Sequence, residues 1–434
     1  MARKSMRVGL LAVGNDLWLG GVYYISNLIR AVRSLPDDLQ PSIVLIVSQA
    51  ADAAAYADVE PLIERVTVVG TAGGSSLIAA VVAWVRRAKQ TGNRIAAAAT
   101  GRPAGHAGRA VIDEAPRPLL ELTRRERLSM LFPCIRPLDA AFPKPWLAWV
   151  WDLQHRHYPE FFTDEDRRWR DHVFSSMAAE APLIVLSSHA ARRDFNRWYP
   201  GADHKLRVLS FATAPLQEWY KEKPDETAAR YCLPPRYVMV ANQFWIHKNH
   251  RAVFEALALL NKRSVKVQVV CTGHLNDHRR PDYYGQLTSY LLEHRMTDQV
   301  RILGVVPRSD QIQLMRRASA VIQPSFFEGW SSVVEDARAL GKRMVLSDIP
   351  VHREQAPFRS VYFDPRNPEA LADRLADEWM VAQAGPPPPS SDDEQASLVL
   401  QQQRIIDYGR RFMEIAGELG SVWAARESTS PPSS

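Results

Sequence analysis

The sequence predicts an α/β protein built as two doubly wound, Rossmann-like domains, each around a parallel sheet. Three observations carry that reading. Short apolar runs alternate with helical stretches from one end of the chain to the other, the pattern of stacked βαβ units. At 434 residues the chain is long enough for two separate cores. A stretch rich in proline and charge, Thr213 to Thr227, separates two sets of strands and reads as a connection between domains.

In chain order, the first set of strand candidates is Arg7–Val13, Ser42–Val47, Val66–Val69, Leu147–Trp151 and Leu183–Leu186, each a run of branched or aromatic residues. A loop carrying Gly20 and Gly21 follows the first of them and leads into an amphipathic helix, Val22 to Val32. The interval Thr91 to Pro118, rich in Gly, Ala, Pro and Arg, reads as a mobile loop. The second set is Tyr237–Ala241, Lys266–Cys271, Val300–Gly304, Ala320–Gln323, Met344–Ser347 and Val361–Phe363. The run GPPPPSSDDE cannot continue a helix and marks a flexible linker over 385–395. A helix over 396–426 follows, with the periodicity to pack on a core, and a disordered tail closes the chain at 427–434. The expected domains are therefore 1–213 and 228–384.

Composition narrows the function classes. Apolar residues make up 46% and charged residues 24%, ordinary values for a globular protein. Three cysteines standing singly build no disulfide framework and fit a reducing cytoplasm. The basic, apolar N-terminus is short and is broken by Asp16, which favours a first strand over a signal peptide. No run of about 18 uncharged apolar residues occurs to span a bilayer. The net charge of +6 is laid out unevenly, with eleven basic and four acidic residues between Arg86 and Arg136. With the apolar Ser75–Arg87 before it, this interval has two readings. One is a peripheral contact with the inner face of a membrane, and the other, commoner arrangement is a buried helix before a solvated basic loop. Nucleic acid is not expected, since the arginines are not interleaved with stacking aromatics. The twelve histidines and three cysteines give no ligand spacing with a third member, so no metal is expected.

The segment from Val321 to Gln355 carries the most chemistry. A buried strand ends at Gln323, a turn runs from Pro324 to Trp330, and a helix from Ser332 to Leu340 is closed by Gly341 before the strand Met344–Ser347. A helix start presents unpaired N–H groups and the positive end of the dipole, a ready site for phosphate. Here carboxylates frame it, Glu328 in the turn and Glu335 and Asp336 one turn into the helix. Phosphate held by backbone and sugar hydroxyls held by acids are what a nucleotide-sugar site requires. The segment resembles the signature of glycosyltransferase family 4, retaining enzymes of the GT-B fold: Glu, seven residues, Glu, then a helix ending in Gly before a strand. Aligned without a gap, the second acid falls on Asp336, one methylene shorter, with Glu335 one place early.

Three further segments strengthen the resemblance. The family places a Gly-Gly loop, here Gly20 and Gly21, against the transferred sugar and phosphates. It carries Arg and Lys five residues apart on the pyrophosphate. Lys248 takes the second place, while Gln243 in the first donates hydrogen bonds but brings no charge, so Arg338, Lys342 or His247 stand as further cations. A histidine following a first-domain strand lies near the donor phosphates, and His155 looks like its counterpart.

The resemblance implies a GT-B protein whose two domains face a central cleft lined by these residues. It implies transfer of a sugar from a nucleoside diphosphate donor, with retention, to a glycan or lipid-linked acceptor. Glu328, His155 and Lys248 would be catalytic. Gly20, Gly21, Gln243, Lys248, Gly329, Trp330, Ser331, Ser332, Glu335 and Asp336 would bind the donor, and Val305 in the loop Gly304–Pro307 would border the nucleobase through its backbone. Polysaccharide, lipopolysaccharide or lipid-linked glycan assembly is the usual setting of such relatives. The alternatives are a sugar-nucleotide epimerase on the same fold, or a non-catalytic relative acting as a partner or scaffold.

Overall fold

The computed structural model describes residues 6–14, 19–69, 116–138, 142–384 and 388–429. The apolar and basic interval 75–115, with the membrane contact read from it, lies outside the described residues, as does the end of the tail, 430–434. The chain divides into two compact units, one of 1–153, 165–212 and 404–434, the other of 154–164 and 213–403.

Seven parallel strands form the sheet of the first unit: β1 (Arg7–Leu11), β2 (Ser42–Val47), β3 (Arg65–Val68), β4 (Met130–Cys134), β5 (Trp146–Val150), β6 (Leu183–Leu186) and β7 (Leu206–Val208). Their order is β3-β2-β1-β4-β5-β6-β7. β1 and β2 pair in register from Arg7 with Ser42 to Leu11 with Ile46, and β1 pairs with β4 on its other side. Two of these strands are not apparent from the sequence. β4 contains Pro133, which lacks a ladder donor and argues against a central strand. The chain accommodates it where the pairing of β4 with β5 shifts register between Leu131 and Cys134. β7, three residues long, is too short to show a period.

The second unit has six parallel strands: β8 (Val238–Val240), β9 (Val269–Cys271), β10 (Val300–Ile302), β11 (Ala320–Gln323), β12 (Met344–Ser347) and β13 (Ser360–Phe363), in the order β10-β9-β8-β11-β12-β13. Alternate residues feed two apolar clusters, one on each face. Val238, Val240, Ala320, Ile322 and Val345 pack on one side. Tyr237, Met239, Val321, Met344 and Leu346 pack on the other. A sheet buried on both faces needs such continuous apolar strands, and each buried Val, Leu or Phe contributes about 1.5–3 kcal/mol.

Several boundaries differ from the sequence expectation. Thr213 to Thr227 is not a bare connection: it holds the helix Gln217–Lys221, whose Trp219 is buried, and starts the helix Pro224–Arg230. The segment 154–164, placed by sequence in the first domain, belongs to the second unit. Residues 116–118 open a helix, Pro116–Arg125, rather than ending a loop. The final helix starts at Ser391, inside the expected linker, and runs to Thr429. Its first turn is rich in acids, and Arg316 clamps Glu394 through two bonds of 2.7 and 2.9 Å, which holds that start in place. From Arg404 onward the helix belongs to the first unit, where Phe412 packs against Phe132 at 5.5 Å.

Candidate functional site

Both sheets reverse strand order beside their first strand, β1 in one unit and β8 in the other. In open α/β sheets the crevice beyond the carboxyl ends at such a reversal is where ligands bind. In the second unit the reversal lies between β8 and β11. Asn242, just past β8, donates from Nδ2 to Oε1 of Gln323, the last residue of β11, at 2.9 Å, and both are buried. That latch fixes the two exits side by side.

The loop after β8 brings Gln243, Trp245 and a 3-10 turn, Ile246–Lys248, which ends on Asn249 in the left-handed region at φ 55°. Asn tolerates that backbone better than most residues. Its Nδ2 donates to the carbonyls of Pro324 and Pro365, at 3.1 and 2.9 Å, which joins this loop to the one after β11. Phe326 N also donates to the His247 carbonyl at 2.8 Å. The consequence is a close pair: Lys248 Nζ lies 2.6 Å from Glu328 Oε1, with the side chains 17% and 8% exposed. The same Glu328 oxygen accepts from Ser325 Oγ at 2.6 Å and from Gln323 Nε2 at 2.8 Å. Three donors on one oxygen fix the orientation of this carboxylate. Ser325 is itself braced, since its carbonyl accepts from Ser347 Oγ at 2.6 Å and the Ser347 carbonyl meets His352 Nδ1 at 2.9 Å. Burial pushes the pKa of His352 down to about 4, against the pull of Glu328.

Ser331 caps the helix Ser332–Ala339, its side chain accepting from Val334 N. Gly329, Trp330 and Ser332 stay half-buried at this start. Gln355 completes the corner: its Oε1 accepts from Ser331 N at 3.3 Å, and its Nε2 donates to the Ser331 carbonyl and to Glu335 Oε1, each at 3.1 Å. Glu335 is fully buried, with Arg338 3.5 Å away. Asp336 points elsewhere, into a two-pronged ion pair with Arg308. Val305, after β10, is 52% exposed beside Gly304, whose φ is +67°.

His155 sits on the short helix Gln154–His157, packed with the second unit, 2% exposed, with its ring edge-on to Phe162 at 6.2 Å. Its neighbours touch the loop after β11: the His157 ring lies tilted against Phe327 at 5.1 Å, and Tyr158 Oη donates to the Phe326 carbonyl at 3.2 Å. Gly20 and Gly21 belong to the first unit, where they lie inside the first turn of the helix Leu19–Arg33 rather than in a loop. The reason is packing, because a Cβ on Gly21 would fall 2.7 Å from the Val13 carbonyl oxygen.

Of the further cations weighed from sequence, two are committed elsewhere. Lys342 is buried and donates to the Arg316 carbonyl at 2.9 Å, and Arg338 donates to the Gln355 carbonyl. His247 meets Arg279, a residue the sequence did not flag, at 3.3 Å. Arg279 lies over the rings of Phe162 and Trp245 at 4.8 and 5.2 Å and reaches Gln154 Oε1 at 3.5 Å. It thereby ties the His155 segment to the Lys248 loop. Ser325, Gln323 and Asn242 were also missed, since an uncharged polar residue at a strand end carries no sequence signal of its own. Among the described residues no group of three or more His, Cys, Asp or Glu side chains is placed to hold a metal ion. No described helix is long and apolar enough to cross a membrane.

Two doubly wound units of this topology define the fold of the GT-B glycosyltransferases. Residues 233–378, the body of the second unit, match the family model described as glycosyl transferases group 1, and this segment is a domain of that family. The chain is similar along 99% of its length to a glycosyltransferase from Rickettsia africae, with 12% identity, TM-score 0.59 and all of that chain covered. It is similar over 95% to HepE of Anabaena in complex with UDP and glucose, with 15% identity, TM-score 0.60 and all of that chain covered. In sequence it is 20% identical over 216 residues to the O-antigen chain mannosyltransferase RfbU of Salmonella typhimurium. That alignment covers 50% of this chain and 56% of RfbU, so the chain spans about half the length of this curated relative.

Proposed function

We propose that this protein is a retaining glycosyltransferase of family 4 type, which moves a sugar from a nucleoside diphosphate sugar to a glycan or lipid-linked acceptor in cell-surface polysaccharide assembly. The observation that carries the reading is the Lys248–Glu328 pair, held at the carboxyl ends of β8 and β11 beside a capped helix start. The activity of RfbU on O-antigen chains and the UDP and glucose held by HepE support the substrate class.

In this reading the bond between the anomeric carbon and the β-phosphate oxygen breaks through an oxocarbenium-like state. The acceptor oxygen bonds to that carbon from the same face, and its proton passes to the leaving phosphate. Negative charge grows on the diphosphate, where Lys248, Gln243 and the positive end of the helix Ser332–Ala339 stabilise it by fixed electrostatics. Positive charge at the anomeric carbon faces Glu328, which also orients sugar hydroxyls. His155 holds the sugar or phosphate, and Val305 borders the base. The positive charge at the phosphates comes from Lys248 and the helix start, with no metal cofactor assigned.

The test is a panel of UDP-, GDP- and dTDP-sugars with release of nucleoside diphosphate as the readout, run beside Glu328→Ala. Selective release that Glu328→Ala abolishes is the expected result. A Glu328→Ala variant that keeps wild-type turnover refutes the role of Glu328, and silence without binding across the panel refutes the transferase reading.

A further inference from the structure

His155 is carried by a segment from the first half of the chain, 154–164, that belongs to the second unit. Two adjacent arginines in the loop after β9 tie it there. Arg280 donates from Nη2 to the Glu160 carbonyl at 2.7 Å. The Arg279 guanidinium lies over the Phe162 ring at 4.8 Å, and Phe162 in turn meets the His155 ring edge-on at 6.2 Å, with 77° between the planes. The same guanidinium lies over Trp245 at 5.2 Å, and its Nη2 meets His247 Nδ1 at 3.3 Å. A guanidinium only donates, so Nδ1 is the acceptor and the ring proton of His247 sits on Nε2.

This arrangement gives direction rather than strength. The Arg279 and Asp277 side chains are 7% and 0% exposed, yet Arg279 Nε lies 3.4 Å from Asp277 Oδ1, a long contact for an ion pair. Backbone donors reach both Asp277 oxygens, Ile246 N at Oδ2 and Arg279 N at Oδ1, each at 3.0 Å. A buried pair with so loose a contact recovers little of its desolvation cost. A flat cation laid over two aromatic rings, by contrast, has a defined orientation and passes it to whatever the rings touch. Through Trp245 and His247 that is the turn ending in Lys248, and through Phe162 it is His155.

We propose that Arg279 is a positioning residue for sugar transfer, acting through Phe162 to hold His155 in register with the loop that carries Lys248. The inference rests on the transferase reading above and adds to it a residue outside every motif segment.

A double-mutant cycle on the full chain tests it, with release of nucleoside diphosphate from whichever donor of the panel turns over as the readout. Arg279→Met keeps an apolar stem against the rings and removes the flat cation. A misplacement of about 1 Å costs up to about 100-fold in rate, so turnover should fall about 10- to 100-fold. In the His155→Ala background the same change should cost less than about threefold, because the residue it acts through is gone. Arg279→Lys should not restore the rate, since a point charge does not lie flat on two rings. Phe162→Leu, which removes only the ring between Arg279 and His155, is the second variant. It should show the same slowing and the same silence beside His155→Ala. Equal penalties with and without His155 overturn the inference, as does full turnover in Arg279→Met or Phe162→Leu, or recovery in Arg279→Lys. A wild-type protein that turns over no donor overturns the transferase reading, and this inference with it.

Discussion

Lys248→Met separates the two jobs assigned to this lysine, holding Glu328 in the empty site and holding phosphate in the filled one. At the observed 2.6 Å, the gross attraction between the two charges is about 6 kcal/mol for an effective dielectric of 20. Desolvation takes most of that back. Breaking a buried pair by removing one partner costs about 3–5 kcal/mol, and the 17% exposure of Lys248 moves the expectation to about 2–3 kcal/mol of stability. The loss is limited further because Ser325 and Gln323 still donate to the same oxygen. For the ligand, a charge-assisted bond to phosphate contributes about 1.5–3 kcal/mol, so the affinity for a nucleoside diphosphate should fall about 10- to 150-fold.

Two assays decide between these roles. Urea unfolding measures the stability term, and calorimetry with UDP and GDP measures the affinity term. Glu328→Gln is the control, because it removes the charge but keeps the shape and an acceptor for Ser325. It should bind diphosphate as well as or better than the wild type, since a negative charge has gone, while turnover falls about 100-fold or more. A Lys248→Met protein that loses stability but binds diphosphate unchanged would refute the phosphate role and leave Lys248 as a purely structural partner of Glu328.

Further outcomes follow from burial and packing. Lys342 has its pKa pushed down to about 7 by burial, so the folded state resists its protonation; stability should rise between pH 7 and pH 9 by about 2–3 kcal/mol from this residue, and Lys342→Met should flatten that slope in urea titrations at the two pH values. His352, pushed down to about 4, works in a lower window: its share of stability is lost as pH falls from about 6.5 to about 4, about 3 kcal/mol in all, and His352→Asn should unfold less steeply with acid. Gly273 has φ +132°, and a Cβ there would lie 2.3 Å from the Asn242 carbonyl oxygen; Gly273→Ala should cost about 1–3 kcal/mol in unfolding and weaken diphosphate binding, because the loop that must yield carries Gln243.

What was legible in the sequence was whatever repeats or carries charge. Strands such as Ser42–Val47 and Ala320–Gln323 show as apolar runs because a sheet covered on both faces demands them. Lys248 and Glu328 show because a charged residue after such a run is conspicuous. β4 did not show, since Pro133 contradicts its own strand and only the register shift against β5 makes room for it. Nor did the helical content between Thr213 and Thr227, where proline and charge hide the apolar anchor Trp219. The acids at 335 and 336 were legible as acids but not by partner. Their partners, Gln355 and Arg308, lie 20 and 28 residues away in sequence, and only folding assigns one to each. The same holds for Ser325, whose role depends on Ser347 reaching back from the next strand.

The geometry around Glu328 also resolves an apparent conflict, for a lysine already bonded to a carboxylate is a poor phosphate ligand unless it can leave. Were Lys248 the sole partner of Glu328, donor binding would strand a buried carboxylate and lose on one side what it gained on the other. Ser325 Oγ and Gln323 Nε2 remove that penalty, because they hold the same oxygen from positions fixed by Ser347 and Asn242. Lys248 can therefore move from carboxylate to phosphate while Glu328 keeps its place, charged and oriented for the sugar. Such an exchange of partners depends on Ser325 and Gln323 taken together. Replacing both with Ala should weaken diphosphate binding even though neither touches phosphate, because Lys248 then becomes the last donor Glu328 has. If calorimetry on Ser325→Ala/Gln323→Ala shows full affinity, the exchange of partners is not how this site works.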